Sequence, residues 1–204
     1  MAALLPTTEQ LAEAIAATAR DDAASLPLLD GAGRALLLSA CAGLSYRAAR
    51  PLVGAAGQEV RQDFELSMAI GSDDPLRQLA LALTSATNAA LALLPAALLP
   101  DGIDFNDLIV QRYQAGSAGI TPHRDHIRYG GLVALVTLEG SADLLLCADR
   151  AGSNPRAFPM APGGLTLMRA PGLDGRGERP FHCVAPLREP RVSIGLRHDT
   201  QAAG

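Results

Sequence analysis

After Asp104 the sequence shows no helical periodicity. It breaks instead into short apolar runs, DLIVQRYQ, GLVALVTLEG, ADLLLCAD, RAFPM, GLTLMRAPG, RPFHCVAP and RVSIGLRHD, divided by Gly, Pro, Asp and Ser. Runs of this length with this punctuation are strands, and seven in succession without a helix between them form an all-β series. Such a series is expected to close as a sandwich or jelly roll, with helices from the first half covering one sheet.

The first half supplies those helices. PTTEQLAEAIAATAR places Thr7 three residues before Gln10, the pairing of a capping box, ahead of apolar residues at helical spacing; this predicts a helix over residues 8–20. DGAGRALLLSACAGL predicts a second, shorter one. SDDPLRQLALALTSATNAALALL predicts the longest: Asp74 caps the free amides, Pro75 fits a first turn that needs no donor, and the run continues to Pro95. Its apolar residues fall on several faces, so it is expected to pack deeply. Between these helices, residues 44–66 carry the Gly and Pro punctuation of a hairpin or covering loop. The chain reads as a single domain over 1–204, with a helical flank and substrate lid in 1–103 and a β core in 104–199.

Composition narrows the function classes. With 49% hydrophobic and 19% charged residues, the chain is of globular rather than disordered type. The longest apolar stretch, AALALLPAALLP, is shorter than a bilayer span and is broken by Pro95, so no membrane partner is expected. MAALLPTTEQLAEA lacks a basic segment and carries acids early, unlike a secretory signal, which makes the cytoplasm the expected compartment. Cys41, Cys147 and Cys183 match neither a disulfide framework nor a zinc knuckle and are expected to be buried thiols. All 17 basic residues are arginine in a chain of net charge −4. Arginine is the side chain whose planar fork grips a carboxylate with two hydrogen bonds.

TPHRDHIRYGG places His123 and Asp125 two apart. On a strand both would point to the same side and reach one ion, although a polar strand entrance would read the same way. His182, in RPFHCVAP, belongs to a late strand that a jelly roll can return beside the first ones. Two histidines and one carboxylate on a face leave open positions, the arrangement of non-haem Fe(II) oxygenases. RVSIGLRHD adds Arg191 and Arg197 on one face of an otherwise largely apolar strand. Buried without acidic partners they need an anion, and a dicarboxylate would supply it; a solvent-edge position is the rival reading for Arg197. His126 and His198 are expected outside any ligand set, and Cys183 as core filling on the face opposite His182.

Taken together, FNDLIVQRYQAGSAGITPHRDH, the later His182 and the Arg191 to Arg197 pair resemble the AlkB-type branch of the Fe(II)- and 2-oxoglutarate-dependent dioxygenases, over residues 104–199. The resemblance implies a double-stranded β-helix (jelly-roll) core, with His123, Asp125 and His182 as the iron ligands. The family's Asn-Arg-Tyr segment reads Gln111-Arg112-Tyr113 here. By that likeness Tyr113 touches 2-oxoglutarate, and Gln111 stands at a position where the chain departs from the pattern. Arg191 would pair with the distal carboxylate beside Ser193, and Arg197 would lie near the carboxylate that approaches iron.

The implied reaction uses Fe(II), 2-oxoglutarate as cosubstrate and O2 to oxidise a C–H bond. The outcome is hydroxylation, or dealkylation where the carbon is attached to nitrogen. An intact Asp125 argues against halogenation. Expected substrate contacts are Tyr46, Arg47, Arg61 and Phe64 from the covering segment and Arg124 beside the metal motif. With no Trp, three Tyr and four Phe the chain is poorly furnished for stacking a flipped base. A small-molecule or peptide substrate is therefore favoured. The alternatives are an oxidative demethylase of N-alkylated bases in DNA or RNA and a catalytically inactive β-sandwich binding module. Oligomeric state is not legible.

Overall fold

A computed structural model describes residues 4–202. Its first helix, α1 (Thr8–Asp21), begins with the expected reciprocal cap: the Gln10 amide donates to Thr7 Oγ1 and the Thr7 amide donates to Gln10 Oε1. Asp22 closes the helix in the left-handed region, and β1 (Ala23–Pro27) follows at once. Next comes α2 (Gly31–Ala42), capped by Asp30. The covering segment is four short strands, β2 (Arg47–Ala48), β3 (Leu52–Val53), β4 (Val60–Asp63) and β5 (Glu65–Ser67). Helix α3 (Pro75–Leu91) starts at Asp74 and Pro75 as expected but stops short of Pro95. Residues preceding a proline avoid helical backbone, and the chain leaves the helix through tighter turns in which the Leu93 and Leu94 amides donate to the Ala90 and Leu91 carbonyls.

The β series follows: β6 (Asp107–Tyr113), β7 (Gly119–His123), β8 (Tyr129–Glu139), β9 (Ala142–Cys147), β10 (Arg156–Met160), β11 (Gly164–Arg169), β12 (Phe181–Val184) and β13 (Arg191–Asp199). The protein is mostly β. Its strands form two antiparallel sheets, a seven-stranded one in the order β1-β11-β8-β13-β6-β5-β2 and a six-stranded one in the order β10-β9-β12-β7-β4-β3. Successive strands of the series alternate largely between the two, which is jelly-roll connectivity.

Period-two alternation divides the core. In β13, Val192, Ile194 and Leu196 face the helices, joining Leu108, Val110, Val136, Leu165 and Leu167 of the larger sheet and Leu11, Ile15, Leu79 and Leu83 of α1 and α3. Each leucine buried there contributes about 1.5–3 kcal/mol. The opposite positions of the same strands face the smaller sheet, where Phe64, Tyr113, Val133, Leu144 and Met168 form a second apolar cluster. Because the helices back only the larger sheet, the inner space between sheets is open to polar side chains. No helix among the described residues is long and apolar enough to cross a membrane.

Candidate metal centre

Antiparallel β7 and β12 set His123 directly opposite His182, with ring centroids 4.2 Å apart. Gly119 permits this approach: at φ +75°, a Cβ there would meet the Val184 carbonyl oxygen of β12 at 2.1 Å. Strand β7 ends at His123, so Asp125 lies just beyond it, in the link to β8. Its Oδ1 is nonetheless 3.9 Å from His123 Nε2 and 3.8 Å from His182 Nε2. Those separations exceed hydrogen bonding, so the three donors face a common gap instead of satisfying one another. All three ligand atoms fall within 4.8 Å of each other.

The atoms that do not face the gap are occupied elsewhere. His123 Nδ1 lies 3.0 Å from the Thr121 carbonyl and His182 Nδ1 3.2 Å from that of Pro180. Protons on both Nδ1 atoms leave the Nε2 lone pairs free, the tautomer a metal requires. Asp125 Oδ2 accepts from Arg197 Nε at 3.3 Å, and the Asp125 carbonyl accepts from Arg179 Nη1 at 2.7 Å. Burial, helped by repulsion from His182, lowers the His123 imidazole to about 3, so it is neutral at pH 7. Burial alone would raise the Asp125 carboxyl, but the charge and the hydrogen bond of Arg197 hold it well below the usual carboxylate range. Two imidazole nitrogens and one carboxylate oxygen on a single face fit an octahedral first-row ion such as Fe(II), with positions left over.

The same cavity, of about 350 Å³, extends from the histidines to β13. Arg191 is 2% exposed there. Its Nη1 donates to Ser193 Oγ at 2.9 Å and its Nη2 to Thr137 Oγ1 at 3.1 Å, with the Met160 sulfur at 3.4 Å and the Tyr113 ring centre 5.5 Å from Cζ. Nε has no partner, and among the described residues Arg191 forms no ion pair. A buried guanidinium that meets only uncharged groups lacks a counterion, which an anion entering the cavity could supply. Burial lowers its proton affinity, in part offset by Tyr113, whose own phenol burial pushes up.

Of the residues singled out in the sequence, His123, Asp125, His182, Gln111, Tyr113, Arg191, Ser193, Arg197, Phe64 and Arg124 all line this one cavity. Arg197 sits inside it rather than at a solvent edge, its side chain only 15% exposed. The structure does not bring Tyr46, Arg47 or Arg61 to the lining. Tyr46 is behind the larger sheet, where its hydroxyl donates to the Cys41 carbonyl and Arg112 stacks on its ring at 4.2 Å. Arg47 is exposed on the edge strand β2, and Arg61 occupies the outward phase of β4, between the inward-facing Val60 and Gln62. Sequence reasoning missed Thr137 and Asp107. Thr137 is a polar residue in an inward phase of the apolar run LVALVTLEG, which is a usable signal; Asp107, 3.7 Å from Arg197, carries none.

No family profile matches the sequence, and no curated protein matches it. Solved structures do resemble it. A 2OG-Fe(II) oxygenase family oxidoreductase from Burkholderia pseudomallei superposes with a TM-score of 0.63 at 15% identity, covering 100% of this chain and 98% of its own. This chain has the fold of 2OG-Fe(II) oxygenases. A Pseudomonas putida prolyl-4-hydroxylase matches at TM-score 0.60 and 18% identity, covering 94% of this chain and 100% of that one. A prolyl hydroxylase from Trichoplax adhaerens, solved with a hypoxia inducible factor peptide fragment, matches at 0.64 and 15%, covering 94% and 90%.

Proposed function

We propose that the protein is an Fe(II)- and 2-oxoglutarate-dependent oxygenase that oxidises a C–H bond of a small-molecule or peptide substrate. The observation that carries this is the pairing, in one cavity, of a His-Asp-His cluster with a buried arginine that has no carboxylate of its own. His123, Asp125 and His182 would hold the iron, and Arg191, steadied by Ser193 and Thr137, would receive the distal carboxylate of 2-oxoglutarate. Bound iron and 2-oxoglutarate supply the oxidation of substrate by O2, with succinate and CO2 as coproducts. Asp125 is kept ionised and aimed by Arg197, which takes Oδ2 and leaves Oδ1 toward the two imidazoles. Gln111 and Tyr113 form the wall beside Arg191, and Val133, Leu135, Ile120 and Val184 exclude water around the ligands.

The AlkB-type likeness of the ligand-bearing strands belongs to this reading, but the lining favours a smaller target than a flipped base. Phe64 and Tyr113 pack on each other at 5.2 Å, so neither offers a free pair of faces for stacking. Both prolyl hydroxylases among the similar structures are consistent with a peptide or small substrate. Anaerobic addition of Fe(II) and 2-oxoglutarate is expected to give a visible absorption band, and admission of O2 to give succinate. His123→Ala and Asp125→Ala are expected to lose both. A wild-type protein that retains no iron under these conditions would instead support an inactive binding module.

A further inference from the structure

Outside the cavity, a groove of about 490 Å³ runs along the rim of the smaller sheet, and Arg124 lines both it and the cavity. Its charge is opposite to that of the molecule as a whole. Arg124, Arg156, Arg169 and Arg179 line it against only Asp22 and Glu178, in a chain whose net charge is −4. Asp22 is already shared by Arg156 at 2.9 Å, Arg169 at 2.7 Å and Arg176 at 3.3 Å. Glu178 stands 3.8 Å from both Arg169 and Arg176. Among the described residues, Arg124 and Arg179 have no ion-pair partner at all.

Arg124 is also held in position. Its guanidinium lies 4.0 Å from the centre of the Phe181 ring, on the outer face of β12, with Arg150 5.5 Å from the same ring. Stacking fixes the plane of a guanidinium while leaving its N–H edge open, so little freedom is lost when that edge takes up an anion. We propose that this groove docks the carboxylates of an acidic peptide segment of the substrate, while an adjoining apolar part of that peptide enters the cavity. The apolar part would meet Val53, Val60 and Leu66 from the covering strands and Met68 just after them. The inference rests on the oxygenase reading for what happens in the cavity, but not for binding in the groove. A nucleic-acid strand fits less well. Two carboxylates interrupt the groove, the Phe181 ring is already stacked by Arg124, and phosphate binding needs an extended basic track.

The test uses the full chain without added metal, so that it is independent of turnover. Binding of a fluorescein-labelled hexaglutamate peptide is followed by anisotropy. Hexaglutamine and a single-stranded DNA dodecamer of matched label are the comparators, with N-acetylglutamate as competitor. The acidic peptide is expected to bind, hexaglutamine not to, and Arg124→Glu to weaken binding by about tenfold or more, the loss of one charge-assisted hydrogen-bonding fork. Arg124→Lys keeps the charge without the fork and is expected to fall between. Arg188→Glu, an equal charge change at an exposed position outside the groove, is expected to leave the affinity as it was. Resistance to N-acetylglutamate at peptide-like concentrations would uphold a peptide as the occupant, and displacement by it at those concentrations would assign the site to a free acid and overturn the peptide. Absence of peptide binding, equal losses in Arg124→Glu and Arg188→Glu, or tighter binding of the DNA would overturn the proposal. None of these results would touch the iron and 2-oxoglutarate spectrum, which tests the cavity separately.

Discussion

Replacing Arg191 by methionine separates an anion-binding role from a merely structural one, because the two predict different changes in two measurements. In the resting protein Arg191 is a cation taken almost fully out of water and given two hydroxyl acceptors, a thioether and no carboxylate. Burying such an ion costs several kcal/mol, while each hydrogen bond from a charged group returns about 1.5–3 kcal/mol. The sum is near zero, so Arg191→Met is expected to change the stability of the ligand-free protein by no more than about 2 kcal/mol, in either direction. With the ligand the balance tips. A 2-oxoglutarate carboxylate facing Arg191 would be a desolvated ion pair, and removing one partner of such a pair costs about 2–5 kcal/mol. That is roughly a 30- to 5000-fold loss of affinity. Thermal denaturation reads both quantities. At 100 times its Kd, 2-oxoglutarate adds about 2.7 kcal/mol, which for a chain of this size is a rise of about 5–10 °C. Wild-type protein with a redox-inert divalent ion should show that rise and Arg191→Met should not, from nearly equal starting points. A variant already destabilised by more than about 4 kcal/mol, beside a wild type indifferent to 2-oxoglutarate, would refute the reasoning.

Gly119→Ala forces a side chain into left-handed backbone against the Val184 carbonyl, so β7 must withdraw from β12. It is expected to cost at least about 1 kcal/mol of stability and to weaken Co(II) binding, measured by calorimetric titration, far more than Gly57→Ala, where a Cβ meets nothing within 4 Å. The His123 imidazole, lowered to about 3 in the fold, stays neutral while its unfolded counterpart protonates below about 6.5. The unfolded state then binds more protons, so metal-free stability is full above about pH 6.5 and falls as pH drops toward 3. Urea melts at pH 7.5, 6 and 5 should show this fall in the wild type and a smaller one in His123→Asn. Leu83→Ala, at a fully buried position of α3 against the larger sheet, is expected to cost about 2–5 kcal/mol in urea denaturation, with metal affinity unchanged in the folded fraction.

What the sequence disclosed was what depends on local period and on residue chemistry. The alternation in RVSIGLRHD placed Arg191 and Arg197 on one face, and the structure has that face inward, with Val192, Ile194 and Leu196 against the helices. The Thr7 and Asp74 caps were equally local and appear where expected. Features decided by distant partners were not legible. Strand β1, AASLP, has no alternation of its own and exists because β11, more than a hundred positions later, offers it an edge. Tyr46 reads as a lid residue by its position in the chain; only the fold reveals that Arg112 and the Cys41 carbonyl hold it behind the larger sheet. Asp125 was reached by strand periodicity although β7 stops before it, and its aim comes from Arg197 and Arg179, which no spacing rule connects to it.

The cavity has its two working ends on different sheets. The imidazoles belong to β7 and β12 of the smaller one, and the guanidinium belongs to β13 of the larger one, which three helices stiffen from behind. On the function proposed above, the gap between the sheets would act as a caliper for the acid that bridges it. A keto diacid one carbon shorter could satisfy the metal end or the arginine end but not both, so discrimination by chain length would be set by how thickly residues such as Tyr113, Val133 and Met168 wedge the layers apart.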